Sequence, residues 1–442
     1  MIIFENGELE IAMVTYNRCG FVSEWLEHCY DNMQKRNIHF SIWDSSTNND
    51  TEEYISRFMD LKKDSDIEYH HVDSDIAMGY KAMLPLLNSD SKYIWIQADA
   101  RYYDFDMMDS KVFPYLKNDI DCVLLSYCDG AVNDGKVYSD KDFFFRDGFI
   151  STILYGALIL KGEMFEPIKC DTDMKRECDK KYKENWACAF LGYIWEMYAY
   201  KKYKALLINI PITYINDGKK TSVWAAKFYD VVIGELCNIM NHLSAMYSYT
   251  DIALKIVWEW QWLDKAERTY MSRKDGSWNE DAYRKYKTCG MLDRCTTHGD
   301  RMARFAICTD EELDRVLEEE MQTEKYEFEE MCHRNIDKIK TQSNGRKIWI
   351  YGAADVGKYL AERLAEQNIN VCGFLDQNAD NICGCAGKPV KRVQDIDLSD
   401  CYIVISLRVV NNDCLNVLFK NGVEMSNIFY MVLEDKMQLI KL

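Results

Sequence analysis

The first hundred residues repeat one unit, in which a short apolar run stops at a polar cluster and an amphipathic helical pattern follows. Ile11 to Thr15 runs into Tyr16, Asn17 and Arg18, after which Phe21 to Gln34 spaces Phe21, Trp25, His28 or Cys29 and Met33 as one helix face. His39 to Trp43 is closed by Asp44, Ser45, Ser46, Thr47, Asn48 and Asn49, and Thr51 to Leu61 turns Tyr54, Ile55, Phe58 and Leu61 inward. Ile67 to Val72 precedes a helical pattern over Ile76 to Leu87, and Tyr93 to Ala98 is the fourth strand, running directly into Asp99 and Arg101. Strands alternating with helices predict a parallel sheet with right-handed crossovers. The polar clusters after the first, second and fourth strands then share one sheet edge, where open α/β sheets bind ligands.

Length and charge narrow the partners. The 442 residues suffice for about three domains. With 54 basic against 72 acidic residues the net charge is -18, which opposes nonspecific binding to nucleic acid or an anionic bilayer. An acidic substrate therefore needs a local basic pocket. The amino terminus lacks a basic and apolar leader pattern, and no window approaches 18 uninterrupted apolar residues. The expectation is a soluble cytoplasmic protein, at most peripheral at the inner face of a membrane. Seventeen cysteines without close CxxC pairs read as reduced thiols, not as a disulfide framework or zinc ribbon.

Farther along, Cys122 to Tyr127 is a fifth strand, Phe149 to Leu160 is apolar between Asp147 and Lys161, and Asn185 to Tyr200 is a helix with Glu184 before it. Lys204 to Ile215 is a closing strand, placed at an edge because it contains Pro211.

These motifs carry a resemblance. Thr15, Tyr16, Asn17 and Arg18, then WDSSTNNDT, then YIWIQADAR together resemble the start of a family 2 glycosyltransferase of the GT-A fold, over roughly the first half of the chain. The resemblance implies a nucleotide-sugar donor, most simply a UDP-sugar, and a glycan or lipid-linked glycan acceptor in bacterial surface polysaccharide assembly. By position it places Thr15, Tyr16, Asn17 and Arg18 along the nucleotide, Asp44 at the base, Lys81 near the nucleotide and Asp99 at the ribose and diphosphate.

The departure lies at Asp99. Where the family offers two or three carboxylates for a divalent metal, this chain has Asp99, Ala100 and Arg101, a poor ligand set for a hard cation such as Mn or Mg. Two readings stay open. Arg101 replaces the metal's charge at the diphosphate, or Asp104 or Asp106 rebuilds a metal site with Asp99. The resemblance also calls for an inverting displacement with a carboxylate base near the later helix. Glu184 is the candidate, with Asp147 and Glu196 behind it, and a helix-start charge is the alternative for Glu184.

After residue 220 the pattern turns helical. Ala226 to Tyr247, Asp251 to Met271 and the charged Asp310 to Lys340 read as helices, and the Trp-bearing second one suggests core or homo-oligomer packing. The expected division is a glycosyltransferase-like domain over 1–220, a helical domain or connector over 221–342 and a small Rossmann-like domain over 343–442. In the last, an apolar strand ending at Tyr351 meets G-A-A-D-V-G and a helix, and a second strand ends in Asp376, 19 residues after Gly357. Gly352, Ala354, Gly357 and Asp376 thus form a dinucleotide-type fingerprint, with Ala354 where the middle glycine normally admits a pyrophosphate. With GFLDQN and GKPV this part resembles the Rossmann-like domain that precedes the hexapeptide repeats of sugar O-acetyltransferases. Two other functions remain in play: a noncatalytic nucleotide-sugar-binding or scaffold protein, and an NAD(P)-linked sugar-modifying enzyme.

Overall fold

A computed structural model describes residues 1–62, 66–126, 135–140, 142–146, 148–153, 155–210, 212–214, 227, 229–248, 250, 265–296, 298–407 and 417–431. Two compact units divide the chain, one drawn from Met1–Asp129, Asn133–Gln261 and Ser272–Gly299, the other chiefly from Asp300–Leu442 with Trp262–Met271.

The first unit is built on an eight-stranded sheet. Its strands are β1 (Leu9–Thr15), β2 (His39–Asp44), β3 (Ile67–His71), β4 (Tyr93–Ala98), β6 (Cys122–Ser126), β7 (Lys136–Tyr138), β8 (Leu158–Lys161) and β9 (Ala205–Asn209). A separate antiparallel pair joins β5 (Arg101–Tyr103) to β10 (Ile212–Tyr214). The sheet order is β3-β2-β1-β4-β8-β6-β9-β7. Strands β3, β2, β1 and β4 are mutually parallel, so the chain leaves all four at the same edge. The reason is visible in β1, where Leu9 to Thr15 are all buried: a strand covered on both faces needs helices above and below. Helix α1 (Cys19–Arg36) supplies such cover with Phe21, Val22, Trp25, Leu26, Cys29 and Met33, and ends at Asn37 in the left-handed region, φ 54°. Helix α2 (Asp50–Leu61) buries Ile55, whereas Leu61, expected inward, is exposed because the helix stops there.

The sheet is mixed where a parallel one was expected. Strand β8 runs antiparallel between β4 and β6, and β7 antiparallel to β9. Between β6 and β8 the chain passes through β7 at the far edge of the sheet, which runs in the same direction as β8, and then through the short helices Phe143–Arg146 and Phe149–Thr152. Pro211 lies outside the described residues, and the expected edge strand around it is instead two strands. β9 is interior, between β6 and β7, while β10 pairs with β5. The expected helix over Ile76 to Leu87 is likewise two short ones, α3 (Met78–Lys81) and Leu84–Asn88, the second with Pro85 in its first turn. The helix expected from Asn185 begins four residues later as α4 (Ala189–Ala199).

In the second unit, β11 (Lys347–Tyr351), β12 (Val371–Leu375), β13 (Val390–Lys391), β14 (Cys401–Ile405) and β15 (Ile428–Tyr430) form a parallel sheet in the order β13-β12-β11-β14-β15. The long helix α5 (Leu313–Ser343) is part of this unit rather than of a separate connector. Its Cys332, Ile336 and Ile339 join the core formed by Ile348, Ile350, Phe374 and Val404. Most of Asp251 to Met271, with its tryptophans, lies outside the described residues. Among the described residues no helix is long and apolar enough to cross a membrane.

Candidate functional site

Three strand ends converge. Thr15 closes β1, Asp44 closes β2, and Asp99 follows β4, all on the edge shared by the parallel strands. The Thr15 hydroxyl donates to Asp99 Oδ2 at 2.8 Å, and Arg18 Nη1 pairs with Asp99 Oδ1 at 2.8 Å. The Arg18 guanidinium also lies 3.8 Å from the centre of the Phe21 ring, which sets its plane from the first turn of α1.

Lys81 ties β1 to β2. Carried by α3 and only 2% exposed, it donates from Nζ to the Thr15 carbonyl at 2.5 Å and to Ser45 Oγ at 2.7 Å. Burial pulls its ammonium down to about 8, against the pull of Asp44 and Asp99 toward the charged form. Asp99, 3% exposed, is shifted the other way: burial raises its carboxyl, opposed by Arg18, the Thr15 hydroxyl, Lys81 and Arg101. One buried carboxylate is thus ringed by cationic groups, a local basic site in a chain of net charge -18.

Asp44 faces inward. Its Oδ1 accepts the Ser46 amide at 2.8 Å and the Ser46 hydroxyl at 2.5 Å, its Oδ2 accepts the Tyr69 hydroxyl at 2.9 Å, and the residue has no exposed surface. The expectation that it reads the base is therefore reassigned: Asp44 shapes the loop, while burial and its bond raise the Tyr69 hydroxyl. Asn17, with φ 52°, holds the same loop. Its amide donates to Ser46 Oγ at 2.7 Å and its Oδ1 accepts the Thr47 amide at 2.9 Å. Tyr16 is exposed, with its ring 5.9 Å from Lys81 Nζ.

Arg101 opens β5, its carbonyl accepting from Trp25 Nε1 at 3.0 Å and Gln97 Nε2 at 2.5 Å, and its charge favours ionised Asp99. Gly156, with φ 93°, leaves room for Gln97, since a Cβ there would lie 2.9 Å from Gln97 Oε1. A divalent metal does not fit these residues. Both oxygens of Asp99 are engaged, Asp104 caps the next helix through the amides of Asp106 and Met107, and Asp106 pairs with Arg36 at 3.3 Å. Among the described residues no group of three or more His, Cys, Asp or Glu is placed to hold a metal ion.

Of the proposed bases, Glu184 is exposed in the turn ahead of α4, and Asp147 lies outside the described residues. Glu196 is withdrawn: it is buried, its Oε1 accepts Lys181 Nζ at 2.6 Å and its Oε2 accepts the Tyr182 hydroxyl. With α4 starting at Ala189, Glu184 is also too early to be a first-turn charge of that helix. Ser45 and Ser46 stand in the polar cluster after β2, whereas Tyr69, within β3, carries no local sequence signal for its bond to Asp44.

Comparison with known proteins gives structural likenesses only. No family model and no curated protein sequence matches the chain. It is similar in structure to a mannosyltransferase, PcManGT from Pyrobaculum calidifontis, solved with GDP-Man and Mn2+, at 11% identity over 69% of this chain and 87% of that one, TM-score 0.39. S. aureus TarS is similar at 10% identity over 67% of this chain and 55% of that one, TM-score 0.40. GalNAc-T7, solved with UDP, GalNAc and Mn2+, is similar at 11% identity over 61% and 54%, TM-score 0.38. At these scores the likenesses carry no weight for chemistry, which rests on the residues themselves.

In the second unit, Gly352 has φ 107°, and a Cβ on Gly357 would fall 2.1 Å from the Gly352 carbonyl oxygen, so helix α6 (Asp355–Glu366) packs directly on the turn after β11. Ala354 is the N-cap of α6 and makes no side-chain capping bond. Asp376, expected to face a ribose, has its Oδ2 accepting the Ala353 amide at 3.0 Å and its Oδ1 the Asn378 amide at 2.9 Å. It holds the glycine turn closed.

Proposed function

We propose that the first unit is a nucleotide-sugar-dependent glycosyltransferase of GT-A type, using a UDP-sugar and a glycan or lipid-linked glycan acceptor in surface polysaccharide assembly. The observation that carries this reading is the clasp of Asp99 by Thr15 and Arg18 at the carboxyl ends of β4 and β1. A donor diphosphate brings negative charge to that edge, and Arg18, 40% exposed in its side chain, keeps donors on the solvent side while bonded to Asp99. Arg18 and Arg101 supply the positive charge that relatives draw from a metal, and Lys81 fixes the loops around it.

The reaction is an inverting displacement. The acceptor hydroxyl oxygen bonds to the anomeric carbon, the bond from that carbon to the diphosphate oxygen breaks, and Glu184 takes the hydroxyl proton. The nucleoside diphosphate leaves with the bonding pair, its charge met by the guanidinium groups. Engagement of both Asp99 oxygens also favours a second reading, a noncatalytic nucleotide-sugar-binding protein of the same pathway. The second unit serves as a structural or regulatory module in either case. Incubation with UDP-, GDP-, CDP- and dTDP-sugars, with and without manganese, separates the two: free nucleoside diphosphate released from one donor supports the enzyme. Binding without hydrolysis or transfer from any donor supports the second reading.

A further inference from the structure

We infer that Glu235 is a positioning residue for the nucleotide site, acting through the turn Trp186–Cys188 and Gly79 on Lys81. This deepens the donor-binding reading and rests on it. Glu235 lies in a π-helical stretch, Asp230–Leu236, of the same unit. Its Oε1 accepts the Trp186 amide at 2.9 Å, and its Oε2 accepts the amides of Ala187 and Cys188, each at 2.9 Å. Converging amides of this kind form a cradle for an anion, and here the chain fills it with its own carboxylate.

The turn so fixed holds the start of α3. The Trp186 carbonyl accepts the Gly79 amide at 2.7 Å. A Cβ on Gly79 would lie 2.6 Å from Ala189 N and 2.7 Å from the Ala187 carbonyl oxygen, so only glycine lets the two backbones meet. Two residues on, Lys81 reaches the Thr15 carbonyl and the Ser45 hydroxyl. The hydrogen bonds therefore run from a carboxylate, through two backbone segments, to the ammonium that ties β1 to β2. Replacing the carboxylate by an amide turns one of its two acceptor oxygens into a donor, so at least one of the three turn amides loses its acceptor and the turn must rearrange to satisfy it. Gly79 moves with it, and Lys81 with Gly79.

The test is a double-mutant cycle read as affinity for UDP and GDP by titration calorimetry, with folding checked by thermal melting. Glu235→Gln is expected to weaken binding of the preferred nucleotide by about tenfold and to add nothing in a Lys81→Met background, because coupled residues are not additive. Gly79→Ala, which keeps Glu235 but forces the backbones apart, is expected to give the same non-additive loss and serves if Glu235→Gln does not fold. Undiminished affinity in these variants overturns the inference and leaves the donor reading standing, as does an equal loss in both backgrounds, which marks a merely stabilising role. Failure of the wild type to bind either nucleotide overturns the donor reading and the inference with it.

Discussion

The guanidinium of Arg18, from the turn after β1, and the carboxylate of Asp99, from the end of β4, lie 2.8 Å apart and join two adjacent strand ends. The pair is asymmetric, Asp99 being 5% and Arg18 40% exposed in their side chains. Desolvation therefore falls mostly on the acid and raises its carboxyl, and the arginine is the strongest of the groups that oppose that rise.

Arg18→Ala should cost about 1–2 kcal/mol, less than a fully buried pair because the arginine is already partly hydrated. The carboxyl of Asp99 is raised by burial, so its ionised form weakens the fold as pH climbs through that raised value. Without Arg18 the shift grows. The loss in Arg18→Ala should be largest at neutral pH, shrink in acid where Asp99 is protonated, and be mostly recovered by adding Asp99→Asn. Urea denaturation of the wild type and the two variants between acid and neutral pH reads this directly.

Lys81 predicts opposite trends for binding and stability. Its ammonium is held down at about 8 against an ordinary 10.5, so between these values the folded state binds fewer protons than the unfolded one. Its penalty is complete below pH 8 and fades as pH rises. Its positive charge fades over the same interval, so nucleotide affinity should fall above pH 8 while the fold gains from this group. Lys81→Met should flatten the affinity profile. Tyr16, Asp44 and Asp99 face the ammonium, the two carboxylates favouring its charged form.

Glu184 and Glu196 should separate cleanly. Glu184→Gln is expected to leave melting unchanged and to lower the transfer rate by about 10²–10⁴-fold, the range for loss of a general base. Glu196→Gln disturbs the bonds to Lys181 and Tyr182 and should lower the melting temperature while the turnover of the folded fraction is kept. Initial rates normalised to folded protein distinguish them.

Two glycines should respond with opposite sign. Gly357→Ala sets a Cβ against the Gly352 carbonyl, which cannot yield without opening the turn that Asp376 holds, and should cost about 1–3 kcal/mol. Gly20, in the first turn of α1, has open space around its Cβ position, and Gly20→Ala should stabilise by roughly 0.5–1 kcal/mol through helix propensity. Chemical denaturation of each against wild type gives both signs.

Much of the first unit could be read from its residues because its signals are local. Tyr93 to Ala98 is a strand with the expected bounds, and Thr15, Arg18, Lys81 and Asp99 meet because the parallel strands end on one edge. What escaped detection depends on distant partners. β8 has the apolar character of any buried strand, and nothing in Leu158 to Lys161 states that it runs antiparallel between β4 and β6. Asp44 looks like any carboxylate after a strand until Tyr69 and Ser46 are seen to occupy it. Glu235 carries no sequence signal at all, because a carboxylate that receives amides 47 to 49 residues away leaves no periodic trace.

The direct test of a donor site that draws its positive charge from arginine is calorimetric titration of the wild type with UDP-sugars and GDP-sugars in excess chelator, repeated with Arg18→Ala. The predicted result is binding that survives the chelator and is lost, or weakened by about tenfold or more, in Arg18→Ala. Binding that appears only when manganese is restored, or that is indifferent to Arg18, would contradict it.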